Sequence, residues 1–121
     1  MRYLCLIYFD PHKVFNNSTE SNEVLAQIGP HDADLEARGH LIAREALSLA
    51  TEAMTIHVRD GKMSATDGPF IESKEMLGGF NLIDARDLND AVRLAADMPF
   101  AKLGFIEVRP LVDFSKPRPQ L

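Results

Sequence analysis

Residues 2–9, RYLCLIYF, are apolar on both strand parities, with Tyr3, Cys5, Ile7 and Phe9 on one side and Leu4, Leu6 and Tyr8 on the other. A strand that is apolar on both sides has to be covered on both sides. One layer of helices covers one face of a sheet, and a chain of 121 residues can hardly supply a second sheet for the other. A chain this short buries a modest core, so a partner subunit is the economical cover. The first expectation is therefore a homodimer.

The remaining pattern gives the order of elements. Residues 10–22 are polar and turn-rich and read as a loop. Val24, Leu25, Ile28 and Leu35 follow at helical spacing, with a break or restart expected at Gly29-Pro30 and an end at Gly39. Two extended stretches, HLIAREALSL and EAMTIHVRD, lead to Asp60-Gly61, a strong hairpin signal with KMSAT as the return strand. GGFNLIDA is a further strand. Asp87 is a fitting helix cap before the stripe Leu88, Ala91, Val92 and Ala95, and Pro99 closes that helix. GFIEVRPLV is the last strand. The order β-α-β, hairpin, β-α-β predicts an α+β, ferredoxin-like layer with helices on one face. It forms one domain over residues 1–112, followed by a proline-containing tail over 113–121.

Composition narrows the function. A formal charge of −5 with no basic stripe argues against direct nucleic-acid binding. The first apolar run is too short to span a membrane and has no cleavage-site pattern, so a cytoplasmic protein is expected. Cys5 is the only cysteine and reads as a small buried hydrophobe. No two histidines have the spacing that puts metal ligands on one helix face, so no metal or other cofactor is expected.

The stretch TDGPFIESKEMLGGF, residues 66–80, concentrates charge and glycine in fifteen positions. Gly68-Pro69 forces a sharp departure from the preceding strand, Asp67 is suited to accept backbone N–H bonds there, and Phe70 is expected to anchor the loop on the core. Gly78-Gly79 would permit a bulge or a close backbone approach. Glu72 and Lys74 share parity and are expected to pair, leaving Glu75 spare. An exposed ion pair contributes only roughly 0–1 kcal/mol, so the charges also suit the rim of a ligand site formed by Asp67, Glu72, Lys74 and Glu75.

Taken with GHLIAREAL before it and GFIEVRPL after it, this stretch resembles the DGPF proteins of the YCII-related superfamily, over roughly Gly39 to Leu111. Ile71 and Ser73 stand where the family more often has alanine and threonine, and Asn81 where it often has tyrosine. The resemblance implies a ferredoxin-like subunit that pairs face to face into a dimeric α+β barrel. It implies relatives near extracytoplasmic-function sigma factors and, more distantly, a chlorohydroxyhydroquinone dehydrochlorinase. In the YCII branch a His on the first helix and an Asp just before a proline are the suggested acid-base pair. Those positions hold Ile28 and Met98 here, with His31 one turn later and Asp97 one place earlier.

The candidate catalytic residues are His31, His40 and Asp97. His31 reads either as a half-exposed histidine near a helix start or as a general base facing a cleft. His40, at a helix-to-strand corner, suits a capping hydrogen bond or a cleft-lining donor. His57 reads as a solvated strand histidine and His12 as a loop residue. Two functional readings follow. One is a homodimer binding a small molecule, with elimination or isomerisation as the reaction type if it is an enzyme. The other is a non-catalytic interaction protein acting with a sigma factor.

Overall fold

A computed structural model describes all 121 residues. Strand β1 (Arg2–Phe9) occupies an inner position in a four-stranded antiparallel sheet of order β2-β5-β1-β6, with β2 at Leu41–Ala46, β5 at Met76–Asp84 and β6 at Gly104–Pro110. Each β-α-β crossover skips one strand position, and the other half of the chain fills it. This is the ferredoxin-like topology expected from the element order. Strands β3 (Met54–Arg59) and β4 (Lys62–Asp67) form a separate two-stranded hairpin. Asp60 and Gly61 turn it with φ of 52° and 73°, both left-handed, as the tight hairpin turn requires.

The two parities of β1 have different surroundings. Tyr3, Cys5, Ile7 and Phe9 are buried beneath the helices, whereas Leu4, Leu6 and Tyr8 are only half-buried on the opposite face. On the helix side, Leu35 of α2 (Thr19–Ala37) and Ala91, Leu94 and Ala95 of α3 (Leu88–Ala96) cluster with Tyr3, Cys5 and Ile83. A second cluster at the other end joins Ile7, Phe9, Val14 and Met76, with Phe100 stacked on Phe9 at 4.9 Å between ring centres. Burial in this packing raises the Cys5 thiol to about 11, so it stays protonated and unreactive at neutral pH.

Two local expectations are corrected. Residues 10–22 are not all loop, because Asp10 accepts from the His12 amide at 3.0 Å and Pro11 opens a single helical turn, α1 (Pro11–Val14). That turn sinks Val14 into the core and takes His12 out of the loop. Nor does Pro30 break the helix, since α2 runs continuously from Thr19 to Ala37. At 100° per residue Pro30 lies roughly opposite Val24 and Leu35, and Gly29, Pro30 and Ala26 are all exposed. The carbonyl that proline leaves without a donor therefore faces water. The helix ends as expected at Gly39, φ 80°, where the Gly39 amide reaches Glu36 and the His40 amide reaches Leu35.

The start of α3 is held by two carboxylates. Asp87 accepts from the Asp90 amide at 2.8 Å, and Asp90 accepts from the Arg86 amide at 2.9 Å and the Arg93 guanidinium at 2.7 Å. These donors, the Arg86 amide first, lower the Asp90 carboxyl to about 2, against an ordinary 3.8. A depressed carboxyl stabilises the fold above its unfolded pKa, and that contribution disappears as pH falls through about 2. Asp90→Asn should therefore lower the melting temperature at neutral pH. Melting curves taken between pH 7 and pH 2 should show the gap to the native chain closing as acid is added; a gap independent of pH would reject this account.

Candidate functional site

The glycines of β5 determine how closely its neighbours approach. A Cβ on Gly79 would lie 2.7 Å from the Glu45 carbonyl oxygen, and one on Gly78 would collide with the Phe9 ring. The β1–β5 register shifts here, between Ile7 and Tyr8, as a bulge. Two residues on, Asn81 points into the helix side opposite Arg44 of β2, and it is buried. Its side-chain amide reaches only the Met98 sulfur, at 3.7 Å, a weak acceptor.

Helix α2 crosses over this edge and brings Asp32 to Arg44. The Asp32 carboxylate is 8% exposed and accepts from the half-exposed guanidinium at 2.7 Å. This buried, charge-assisted bond fixes Arg44 while leaving most of its five donors free. A cavity of about 290 Å³ opens between these groups, with Ile7, Ile28, Met98, Pro99 and Phe100 as its apolar wall and Asp32, Arg44 and Asn81 as polar lining. Ile28 and Met98 are the two positions to which the family resemblance assigns the acid-base pair. The cavity therefore lies at that place in the fold but carries no imidazole or carboxylate at either position.

His31 is not the half-exposed residue near a helix start that one of the two readings expects. It sits mid-helix on the inward side of α2, 14% exposed, and both ring nitrogens are buried without a hydrogen-bond partner. Its Nδ1 is 3.6 Å from Asp32 Oδ1, just beyond hydrogen-bond reach. His40 caps the corner, with Nδ1 2.9 Å from the Asp84 carbonyl oxygen. Asp97 ends α3 and is exposed. The three candidate catalytic side chains are thus not brought together.

The DGPF loop forms a second concavity, a groove of about 1000 Å³ floored by Tyr8, Leu47, Leu49, Met76 and Leu77. Asp67, Glu72 and Glu75 line it, but Lys74 does not. Lys74 lies 4.0 Å from the buried Asp10 rather than beside Glu72, which corrects the expected pair. Phe70 is no anchor, at 84% exposed. Asp67 accepts no backbone N–H; the turn is held instead by the Gly68 amide on Ala53 O at 2.7 Å and Thr55 Oγ1 on Gly68 O at 2.9 Å. Sequence reasoning missed Arg44 as a cavity residue. The one available signal was Asn81, a carboxamide inside an otherwise apolar strand.

A family model described as the YCII-related domain matches residues 1–115. An uncharacterised protein of Rhizobium meliloti (strain 1021) is 35% identical over 114 residues, covering 92% of each chain. Among solved structures, 5-chloro-2-hydroxyhydroquinone dehydrochlorinase from Burkholderia phenoliruptrix AC1100, in complex with 2,5-dihydroxybenzoquinone, is similar with a TM-score of 0.55 at 15% identity, over 95% of this chain and 97% of that one. At that identity the likeness is one of fold. No helix is long and apolar enough to cross a membrane. The match over residues 1–115, with the motif and topology described above, places the chain in the YCII-related domain family.

Proposed function

We propose that this chain is a homodimeric small-molecule-binding protein whose ligand occupies the 290 Å³ cavity beneath α2. The observation that carries the reading is a buried carboxylate holding an arginine at the edge of an apolar pocket, beside a carboxamide whose donor has only a thioether to reach. Such a lining, apolar with a few convergent polar groups, is what a binding site for a compact organic molecule needs. Arg44 offers donors and Phe100 offers flat apolar surface, so a planar, oxygen-bearing ring compound is the class that fits. Apolar residues at positions 28 and 98 favour binding over acid-base chemistry. The His31 imidazole, buried beside Asp32 without a hydrogen-bond partner, is the one feature that favours catalysis.

The dimer is supported by the uncovered sheet face. Leu4, Leu6 and Tyr8 of β1 stand opposite Leu82, Phe80 and Leu77 of β5, with Phe105 on the neighbouring strand 65% exposed. The hairpin adds Met54, Ile56, Val58 and Met63, each more than half exposed on one side of the ribbon. A second subunit is an economical cover for these two apolar faces, and an isolated two-stranded ribbon is marginal in water.

A thermal-shift screen of hydroxylated aromatic acids and quinones, with 2,5-dihydroxybenzoquinone as the first probe, tests the cavity. A ligand present at 100 times its Kd should stabilise by about 2.7 kcal/mol. The shift should vanish in both Arg44→Ala and Asn81→Leu. Shifts that persist in both variants would place the ligand elsewhere, and no shift across the panel would reject the ligand class.

A further inference from the structure

The groove beside the DGPF loop has no role in the proposed ligand site, and its chemistry is lopsided. Four carboxylates line it, from Glu52, Asp67, Glu72 and Glu75, and no lysine, arginine or histidine does. Its floor is apolar and partly aromatic. A surface of this kind suits a chain segment that is basic and apolar at once.

The chain carries such a segment in residues 114–119, FSKPRP, just beyond the acidic Asp113. Every residue from Leu111 to Leu121 is exposed. Lys116 and Arg118 form no salt bridge, and Phe114 is 92% exposed. Pro117 and Pro119 bias this stretch to an extended conformation with little ordering entropy left to lose, a form that docks well on aromatic-lined grooves. We propose that the C-terminal tail of a second copy of this chain seats in the DGPF groove, with Phe114 on the apolar floor and Lys116 and Arg118 against the carboxylates.

The position of the tail selects the second copy over the same chain. The Leu111 amide bonds to the Arg2 carbonyl, so the tail leaves the sheet at the start of β1. The groove lies at the far end of that strand, at Tyr8 and Leu77, about 20 Å away at roughly 3.3 Å per residue. A tail folding back within its own chain would have to run the length of the open sheet face and displace whatever covers it. In a pair stacked face to face with strands running in opposite directions, the partner's tail starts beside the groove. This inference rests on the dimer reading above.

Zero-length carbodiimide coupling of the full chain tests it, with light scattering on the same sample. A covalent band at twice 13.5 kDa should yield a peptide pair joining Lys116 to Glu72 or Glu75. Lys116→Arg keeps the charge and should lose that pair. Glu72→Lys with Glu75→Lys should abolish it, and adding Lys116→Glu should restore coupling between the same two segments. A pair found only in the single-chain band, or coupling of Lys116 elsewhere, overturns the assignment to a second copy. A scattering mass of two chains without the pair sinks the tail docking and spares the dimer. A mass of one chain sinks both.

Discussion

Leu6→Glu is expected to yield a well-folded species of 13.5 kDa, and the native chain one of twice that mass, if the pairing proposed above holds. Leu6 stands opposite Phe80 near the middle of the uncovered sheet face, with Glu107 across the other edge of β1. In a lone subunit the new carboxylate meets water, so the melting temperature should change little. In a paired sheet it is buried without a partner, which costs roughly 3–5 kcal/mol, and two-fold symmetry imposes that cost twice. Self-association should weaken by about 10⁴-fold or more. Cys5→Glu, one residue earlier and on the opposite parity, should instead unfold the subunit, because Cys5 is wholly buried under the helices. Sedimentation or light scattering decides between these outcomes. A native chain already of single mass, or a Leu6→Glu protein that remains paired, would show that the open face is not the interface.

The second large effect concerns Gly104, at the start of β6. A Cβ there would overlap the Tyr8 carbonyl oxygen and lie 3.0 Å from the Phe9 Cβ. Main chain on the adjoining strand cannot yield as a side chain can, so Gly104→Ala should cost about 4 kcal/mol or more and lower the melting temperature by over about 10 °C. Gly78→Ala meets the Phe9 ring, which can rotate, and should cost less. Gly79→Ala would press on the Glu45 carbonyl and push β2, with Arg44, away from the cavity. Gly29→Ala meets nothing within 4 Å on the exposed side of α2 and should stabilise by roughly 0.5–1 kcal/mol. The order of the four melting temperatures is the result to compare. If Gly104→Ala melts with the native chain, the strand spacing described here is wrong.

Much of the fold was legible because local chemistry and periodicity agreed. The two parities of β1, the Asp60-Gly61 turn, the Gly39 terminator and the Asp87 cap each depend on a few adjacent residues, and all four stand in the structure. Pro30 misled because a proline breaks a helix less when its unpaired carbonyl faces solvent, and that depends on its angle from the apolar stripe. Asp10-Pro11 is both a turn signal and a helix start, and only the burial of Val14 decides between them. The candidate site was harder to read. The Asp32–Arg44 bond depends on α2 crossing the β2 edge, and the approach of Lys74 to Asp10 joins residues 64 positions apart in the chain. Neither distance is encoded in a local pattern. Nor was the exposure of Phe70 legible, since a large aromatic beside a proline turn more often packs on the core.

The sealed, protonated thiol of Cys5 makes the native chain a ready background for site-selective labelling. A single cysteine placed at the hairpin tip or in the tail can take a maleimide-linked spin label while Cys5 stays unlabelled. Dipolar spectroscopy on such samples would then measure inter-subunit distances directly, without a cysteine-free variant and the repacking of β1 it would bring.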